Sequence, residues 1–449
     1  MEIAAPKVEP LLLRKRATRG ERWAWYLYDF GNSAYAAVVT LAVYSAYFKQ
    51  QVVGGAEGSR LWGISVGIAM LVVALLSPVL GALADFSASK KRFLLGFTAL
   101  SVTFTALLFF VQKGDILMGM LFFILAEIGY RGAQVFYDAL LPDVASEEEM
   151  SKVSGNGWAL GSLGGIVCLL VVLGLILTVK GDFVVRLSFI ITAIFYAGFA
   201  LPTFLKIREK LQAQPLPAGE SYLTIPFRRL KQTFQASRQY KEFLKFVVAF
   251  LIYNDGIMMV MDFAAIIGAV LFGMTQQQLI IFMILVQMTS VGGAYVFGQA
   301  AHRWGSKVSL IISLVMMTVT VSGLFIVDSL AFFNILGALA GFALTGVQSV
   351  SRTMVSQMAP PDKVTEFYGF FSVAGRTSSF IGPTLYGMLA ASTAHWYVRQ
   401  GYDVHLAEQL GLRVSVVSII AFLVVGLIVL LFVRQKRHLA ILQSEGPAA

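Results

Sequence analysis

GALADFSASKKR at residues 81–92 and GQAAHRWGSKVS at 298–309 are imperfect copies of one polar loop, 217 positions apart in a chain of 449. Each copy sits between two long apolar runs. A second pair keeps nearly the same offset: QVFYDALLPDVASEEEMSKVSGNG at 134–157 and QSVSRTMVSQMAPPDKVTEFYGFF at 348–371. A third links Tyr28-Asp29-Phe30-Gly31 to Tyr253-Asn254-Asp255-Gly256. All three offsets are close to half the chain, so the sequence reads as two related halves.

The composition says what solvent those halves live in. The chain is 57% hydrophobic and 13% charged with a mean hydropathy of +0.75, whereas soluble domains are about a quarter charged. Apolar runs long enough for a roughly 30 Å hydrocarbon core recur along the chain. They fall near 23–49, 61–84, 93–111, 117–141, 155–179, 184–205, 243–271, 278–301, 308–327, 331–356, 367–394 and 410–433. The expectation is an all-α membrane protein of about twelve transmembrane helices in two six-helix pseudo-repeats. An even span count per half puts both halves in the membrane in the same sense, as a parallel repeat with a cavity between them. The expected divisions are an N-tail (1–22), a first half (23–205), a polar linker (206–242) whose second part reads as an amphipathic surface helix, a second half (243–433) and a C-tail (434–449).

The first apolar run is too long for a signal-peptide core and is retained as helix 1. Lys and Arg concentrate in the tails, the linker and loops on the same side, which places both termini in the cytoplasm. The net charge of +10 then reflects topology and contact with anionic membrane lipids, not nucleic-acid binding. Cys168 is the single cysteine, so an intramolecular disulfide is excluded. His302, His395, His405 and His438 lie at no metal-ligand spacing, and no Walker loop occurs. Neither a metal nor a cofactor is expected, and the chain is not expected to be an enzyme; the expected oligomeric state is a monomer.

Gly81-x-Leu83-Ala84-Asp85 with Lys90, Lys91 and Arg92 resembles the loop motif of the major facilitator superfamily, although Ser87-Ala88-Ser89 departs from its usual centre. Gly298, Arg303, Gly305 and Lys307 resemble the second-half copy. More narrowly, Trp25-x-Leu27-Tyr28-Asp29-Phe30-Gly31-Asn32-Ser33-Ala34-Tyr35, Leu251-Ile252-Tyr253-Asn254-Asp255-Gly256 and Glu366-Phe367-Tyr368-Gly369 with Gly382-Pro383 are similar to the branch holding the fungal vacuolar effluxers of autophagy and their bacterial relatives. The resemblance spans nearly the whole chain. It implies a secondary transporter in a bacterial inner membrane that moves a small solute such as an amino acid.

Ionisable residues within spans must be paired or line a wet cavity, because a charge at a helix centre costs roughly 2.5–3.5 kcal/mol on insertion scales. Helix 4 concentrates them. At about 100° per residue, Glu127, Arg131, Gln134 and Asp138 share one narrow face. Arg131-x-x-Gln134 resembles the helix 4 arginine motif of proton-coupled facilitators, which implies an anion held by Arg131 and a proton taken by Glu127. A structural ion pair is the alternative. Asp29 and Asn32 on helix 1, with Asn254 and Asp255 at the related place on helix 7, are candidates for a substrate ammonium or a coupling proton. Asp262, with no matching polar neighbour in sequence, is a weaker one, and Arg376 on helix 11 offers a second anion contact. Asp85, Lys90, Arg92, Asp138 and Arg352 are gate candidates, with Asp138 able to meet Arg352 across the halves or Lys90 or Arg92 within one. Glu147, Glu148 and Glu149 read as a solvated loop. A lipid or drug exporter, and a non-transporting sensor of the same fold, remain as alternatives.

Overall fold

The computed structural model describes residues 17–86, 89–146, 149–179, 181–209, 240–359 and 379–434, together with 225, 228, 367, 370, 371, 374 and 375; side chains at 85, 86 and 150–152 are outside that description. Among the described residues, the long helices are α1 (Arg19–Tyr35), α2 (Gly55–Phe86), α3 (Lys90–Leu107), α4 (Ile116–Ala139), α5 (Met150–Thr178), α6 (Asp182–Lys206), α7 (Lys241–Leu271), α8 (Gln276–Trp304), α9 (Ser306–Ser322), α10 (Leu330–Met358), α11 (Ile381–Arg399) and α12 (Val404–Leu431).

Among the described residues, ten helices are long and apolar enough to cross a membrane. The expected spans at 23–49 and 367–394 are not among them. In the first, α1 carries Arg19, Glu21, Arg22 and Asp29 and passes after Tyr35 into wider π-helical turns at Ala36–Ala42 and Phe48–Val53. The second lies partly outside the described residues. Most of the 206–242 segment and the C-tail beyond Arg434 also lie outside them.

Helix starts follow local chemistry. At α1 the Thr18 hydroxyl accepts from the Glu21 amide at 3.2 Å while the Thr18 amide donates to the Glu21 carboxylate at 2.8 Å, satisfying donors that a helix end leaves open. Thr275 and Gln278 repeat the arrangement at α8. The N-terminus of α3 is capped from a distance, by Glu209 accepting from the Lys90 and Lys91 amides at 3.1 and 3.0 Å. In the second loop copy, Gly305 has φ +93 and turns the chain between Trp304 and Ser306. An L side chain is strained there, which explains the glycine.

The first six helices pack mainly among themselves, α1 against α5 and α6 and α4 against α2 and α3. The last six do likewise, α7 against α12, α10 against α8 and α9, and α11 against α12. The two sets meet where α2 lies along α11 and α5 along α8. Small residues permit the first meeting: a Cβ on Gly63 would stand 2.3 Å from the Pro383 carbonyl oxygen, and one on Gly67 would stand 2.0 Å from the Thr384 hydroxyl. Small residues at a spacing of four share one helix face and allow such close approach.

Among the described residues, several polar contacts join the sets toward the end of the bundle away from Lys206 and Lys241, called here the far end. Trp62 donates to the Asp262 carbonyl at 2.8 Å and Gln276 to the Ala42 carbonyl at 2.9 Å. Lys49 and Glu408 form an ion pair, their side chains 4% and 10% exposed. His395 Nε2 lies 3.6 Å from Glu57.

Candidate substrate and proton site

Most of the aromatic motif in α1 is a packing device. Trp25 stacks on Tyr137 at 4.4 Å between centroids and its Nε1 donates to the Tyr137 carbonyl at 3.1 Å. Tyr28 stacks on the other side of Tyr137, and its hydroxyl meets Thr98 at 2.7 Å and Tyr196 at 2.9 Å. Asp29, Asn32, Ser33 and the Tyr35 hydroxyl are the polar motif groups left beside this clamp. Asp29 is half-buried, and with Ser33 it faces Gly161 of α5. It makes no hydrogen bond or ion pair among the described residues and lies close enough to Asp138 for the two carboxylates to repel. Asn32 is buried, and its Nδ2 has no partner among the described residues.

The four α4 candidates differ in exposure. Glu127 is buried, Arg131 and Gln134 are half-buried and Asp138 is exposed. Arg131 Nε donates to Glu127 Oε1 at 2.8 Å. Counting about 1.5 Å per residue from Ile116, Glu127 lies about 16 Å along α4, near its middle. The second Glu127 oxygen has no hydrogen-bond partner among the described residues, and the buried Tyr35 hydroxyl faces this carboxylate. Tyr130 packs on Tyr35 at 4.8 Å, and Arg131 Cζ lies 5.3 Å from the Tyr130 ring centroid.

Asp262 is 1% exposed, and its Oδ2 has no hydrogen-bond partner among the described residues. Asn254 and Asp255 are engaged differently from their α1 counterparts. Asn254 Nδ2 donates to Ser379 at 3.4 Å and its Oδ1 accepts from Gln348 at 3.3 Å, while Asp255 Oδ1 accepts from the Gly382 amide at 3.3 Å. These bonds tie α7 to α10 and to the start of α11.

Of the gate candidates, Lys90 binds neither Asp138 nor Arg352. Its Nζ donates to the Ala139 carbonyl at 3.0 Å and to the buried Asp143 at 3.4 Å. Asp143, just past the end of α4, was missed because a shift of five residues at a helix end is not set by helical periodicity. Arg92 is exposed, and so are Asp138 and Arg352 at the ends of α4 and α10 away from the far end. The Asp85 side chain and all of Arg376 lie outside the described residues. The acidic run is not merely solvated: Arg22 forms an ion pair with Glu149 and donates to the Val144 carbonyl at 3.2 Å. The hydrogen bonds from Arg22 to its oxygens hold the Glu149 carboxyl below its usual range. Glu147 and Glu148 are outside the described residues.

Comparison with known proteins agrees with this architecture. An uncharacterized MFS-type transporter of Bacillus subtilis, YxiO, is 30% identical over 446 residues, covering 97% of this chain and 99% of its own. Autophagy-related protein 22 of Yarrowia lipolytica is 25% identical over 272 residues, 54% of this chain and 46% of its own. Among solved structures, a bacterial homolog of the human lysosomal transporter Spinster superposes with a TM-score of 0.73 at 15% identity, over 96% of this chain and all of that one. The nucleoside transporter NupG gives 0.62 at 15% identity over 94% of this chain and all of its own. These relatives are transporters, and the protein is an integral membrane transporter of the major facilitator type, not an enzyme. The family described as vacuole effluxer Atg22 like matches residues 61–440, and the chain belongs to that family.

Proposed function

We propose that the protein is a proton-coupled secondary transporter of a small amphoteric solute, an amino acid or a close analogue, in a bacterial inner membrane. The observation that carries this reading is the buried Glu127–Arg131 pair at mid-helix, with Arg131 still partly accessible. A guanidinium so placed receives a substrate carboxylate in a forked geometry. A substrate carboxylate that takes Arg131 leaves Glu127 without its counter-charge in apolar surroundings, and a proton on Glu127 then restores neutrality. Substrate and proton therefore load together. Asp29 is favoured over Asp255 for the substrate ammonium, since Asp255 already accepts from a backbone amide at the start of α11. Asp138 and Arg352 act as the gate at the end opposite the Lys49–Glu408 pair.

The basic excess in the tails and in residues 206–242 supports a cytoplasmic location for both termini, making residues 1–205 and 243–433 the rocking halves and the far end external. Reporter fusions at Ala449 and within residues 212–220 are expected to be active only as cytoplasmic fusions; an external signal from either overturns this orientation.

A thermal-shift screen of the purified transporter across amino acids tests the substrate class. A ligand at 100 times its Kd stabilises by about 2.7 kcal/mol, so a true substrate raises the unfolding temperature visibly. A second reading has its own observation. A crevice of about 300 Å³ between α1, α5, α7, α8, α9 and α10 is lined by Met261, Met283, Met317, Phe282 and Phe333, the lining an apolar cargo would need. Stabilisation by hydrophobic amphiphiles and by no amino acid would favour a lipid or drug exporter.

A further inference from the structure

The two copies of the polar loop lead into different surroundings. α3 follows the first copy and packs against α6, while α9 follows the second and packs against α12. In both places a first-turn lysine reaches the carbonyls at the end of the packed neighbour. Lys91 Nζ donates to the Ile207 carbonyl at 2.6 Å, just past α6, and Lys307 Nζ donates to the Leu431 and Val433 carbonyls at 2.8 and 2.7 Å, at the end of α12. The charges that come next are opposite. Three residues past α6, the Glu209 carboxylate accepts from the Lys90 and Lys91 amides and so caps the positive end of α3. Three residues past α12 the chain carries Arg434, and the N-cap of α9, Gly305, has no side chain to accept from the first-turn amides.

Beside the start of α9 lies a cavity of about 800 Å³, bounded by the first turns of α7, the turn from α8 to α9 and the end of α12. Among the described residues lining it, Lys245, Lys307 and Arg434 stand against one carboxylate, Glu242. Both Glu242 oxygens are already engaged: one accepts from Lys245 Nζ at 2.7 Å and the other from the Arg434 backbone amide. Three cations against one carboxylate leave a positive excess, and the N-terminus of α9 adds to it. The rim has a second character. Trp304 and Phe432 are exposed there, at the ends of helices long and apolar enough to span, which is the level where aromatic rings meet lipid headgroups.

We propose that this cavity is a binding site for the phosphate headgroup of an anionic membrane lipid, drawn from the leaflet at the end of the bundle away from the far end. The lipid phosphate supplies at α9 the negative charge that Glu209 supplies at α3. Basic pockets between membrane-spanning helices recognise such headgroups by charge. A soluble phosphate would answer the cations alone, whereas a lipid also answers Trp304 and Phe432, over which its acyl chains leave toward the bilayer. The bound lipid ties α7, α9 and α12 together from outside. Neither the solute nor proton coupling enters this assignment.

The test is thermal unfolding of the full chain, purified free of lipid in a neutral detergent, with phosphatidylglycerol, phosphatidylcholine or inorganic phosphate added. Phosphatidylglycerol is expected to raise the unfolding temperature of wild type in a saturable way, and the other two to leave it unchanged. Lys245→Gln is expected to weaken the apparent affinity about fivefold, since a basic residue near a membrane surface contributes about 1 kcal/mol. Arg434→Glu places a carboxylate where the first half has one, and is expected to lose the lipid response while unfolding, without lipid, no earlier than wild type. Arg303→Ala removes an exposed cation outside the cavity and is expected to keep the full response. An equal rise with phosphatidylcholine or with inorganic phosphate overturns the assignment. So does a wild-type response in both Lys245→Gln and Arg434→Glu, or a loss in Arg303→Ala as large as in either.

Discussion

Arg131→Ala is expected to abolish solute binding and transport, with affinity falling at least about a hundredfold, because truncating one partner of a buried charge pair costs about 2–5 kcal/mol or more. Two losses combine. The substrate carboxylate loses its guanidinium, and Glu127, 1% exposed on its side chain, loses its counter-ion. Arg131→Lys keeps the charge but not the fork and is expected to fall between. Glu127→Gln separates binding from coupling: exchange of solute across the membrane is expected to continue, while accumulation driven by a pH gradient is lost. The assay is uptake into proteoliposomes with and without an imposed gradient. Normal transport by Arg131→Ala would leave the α4 charges with a structural role and remove the physical support for an amphoteric substrate.

Breaking the far-end ion pair is expected to have the second large effect. Lys49 and Glu408 join the two helix sets with side chains only 4% and 10% exposed. Removing one partner of a buried pair leaves an uncompensated charge and costs about 3–5 kcal/mol. Lys49→Ala therefore destabilises the arrangement in which the far end is closed. Two readouts follow: a lower unfolding temperature, and more crosslinking between cysteines placed at Asp138 and Arg352, since closing that end is the alternative to closing the far one. Reversing the pair, Lys49→Glu with Glu408→Lys, is expected to restore both toward wild type. If Lys49→Ala changes neither stability nor crosslinking, the pair carries no gating energy.

The two predictions draw on different kinds of information. Glu127 and Arg131 are four residues apart on one helix, so 100° per residue alone brings them together, and the ion pair at 2.8 Å was legible before any fold was known. The small residues of α2 were equally legible, since Gly63 and Gly67 at a spacing of four mark one helix face. Lys49 and Glu408 are at nearly opposite ends of the chain, and neither has a local pattern to announce it. The motif in α1 shows the mixture within eleven residues. Its aromatics read as a signature, yet Trp25 and Tyr28 turn out to clamp α1 to the end of α4 through Tyr137, and only the polar members face the interior.

By itself the sequence determined the solvent, the helical class, the duplicated plan and the charges of α4, because hydropathy over twenty residues and periodicity over four are properties of contiguous chain. Tertiary structure alone decided which charges meet. It gave Lys90 to Asp143 instead of Asp138, set Arg22 on Glu149 and placed Lys49 on Glu408. The physical reason is that Coulomb attraction depends on separation in space and on the burial of both partners. Neither quantity exists until the helices have packed.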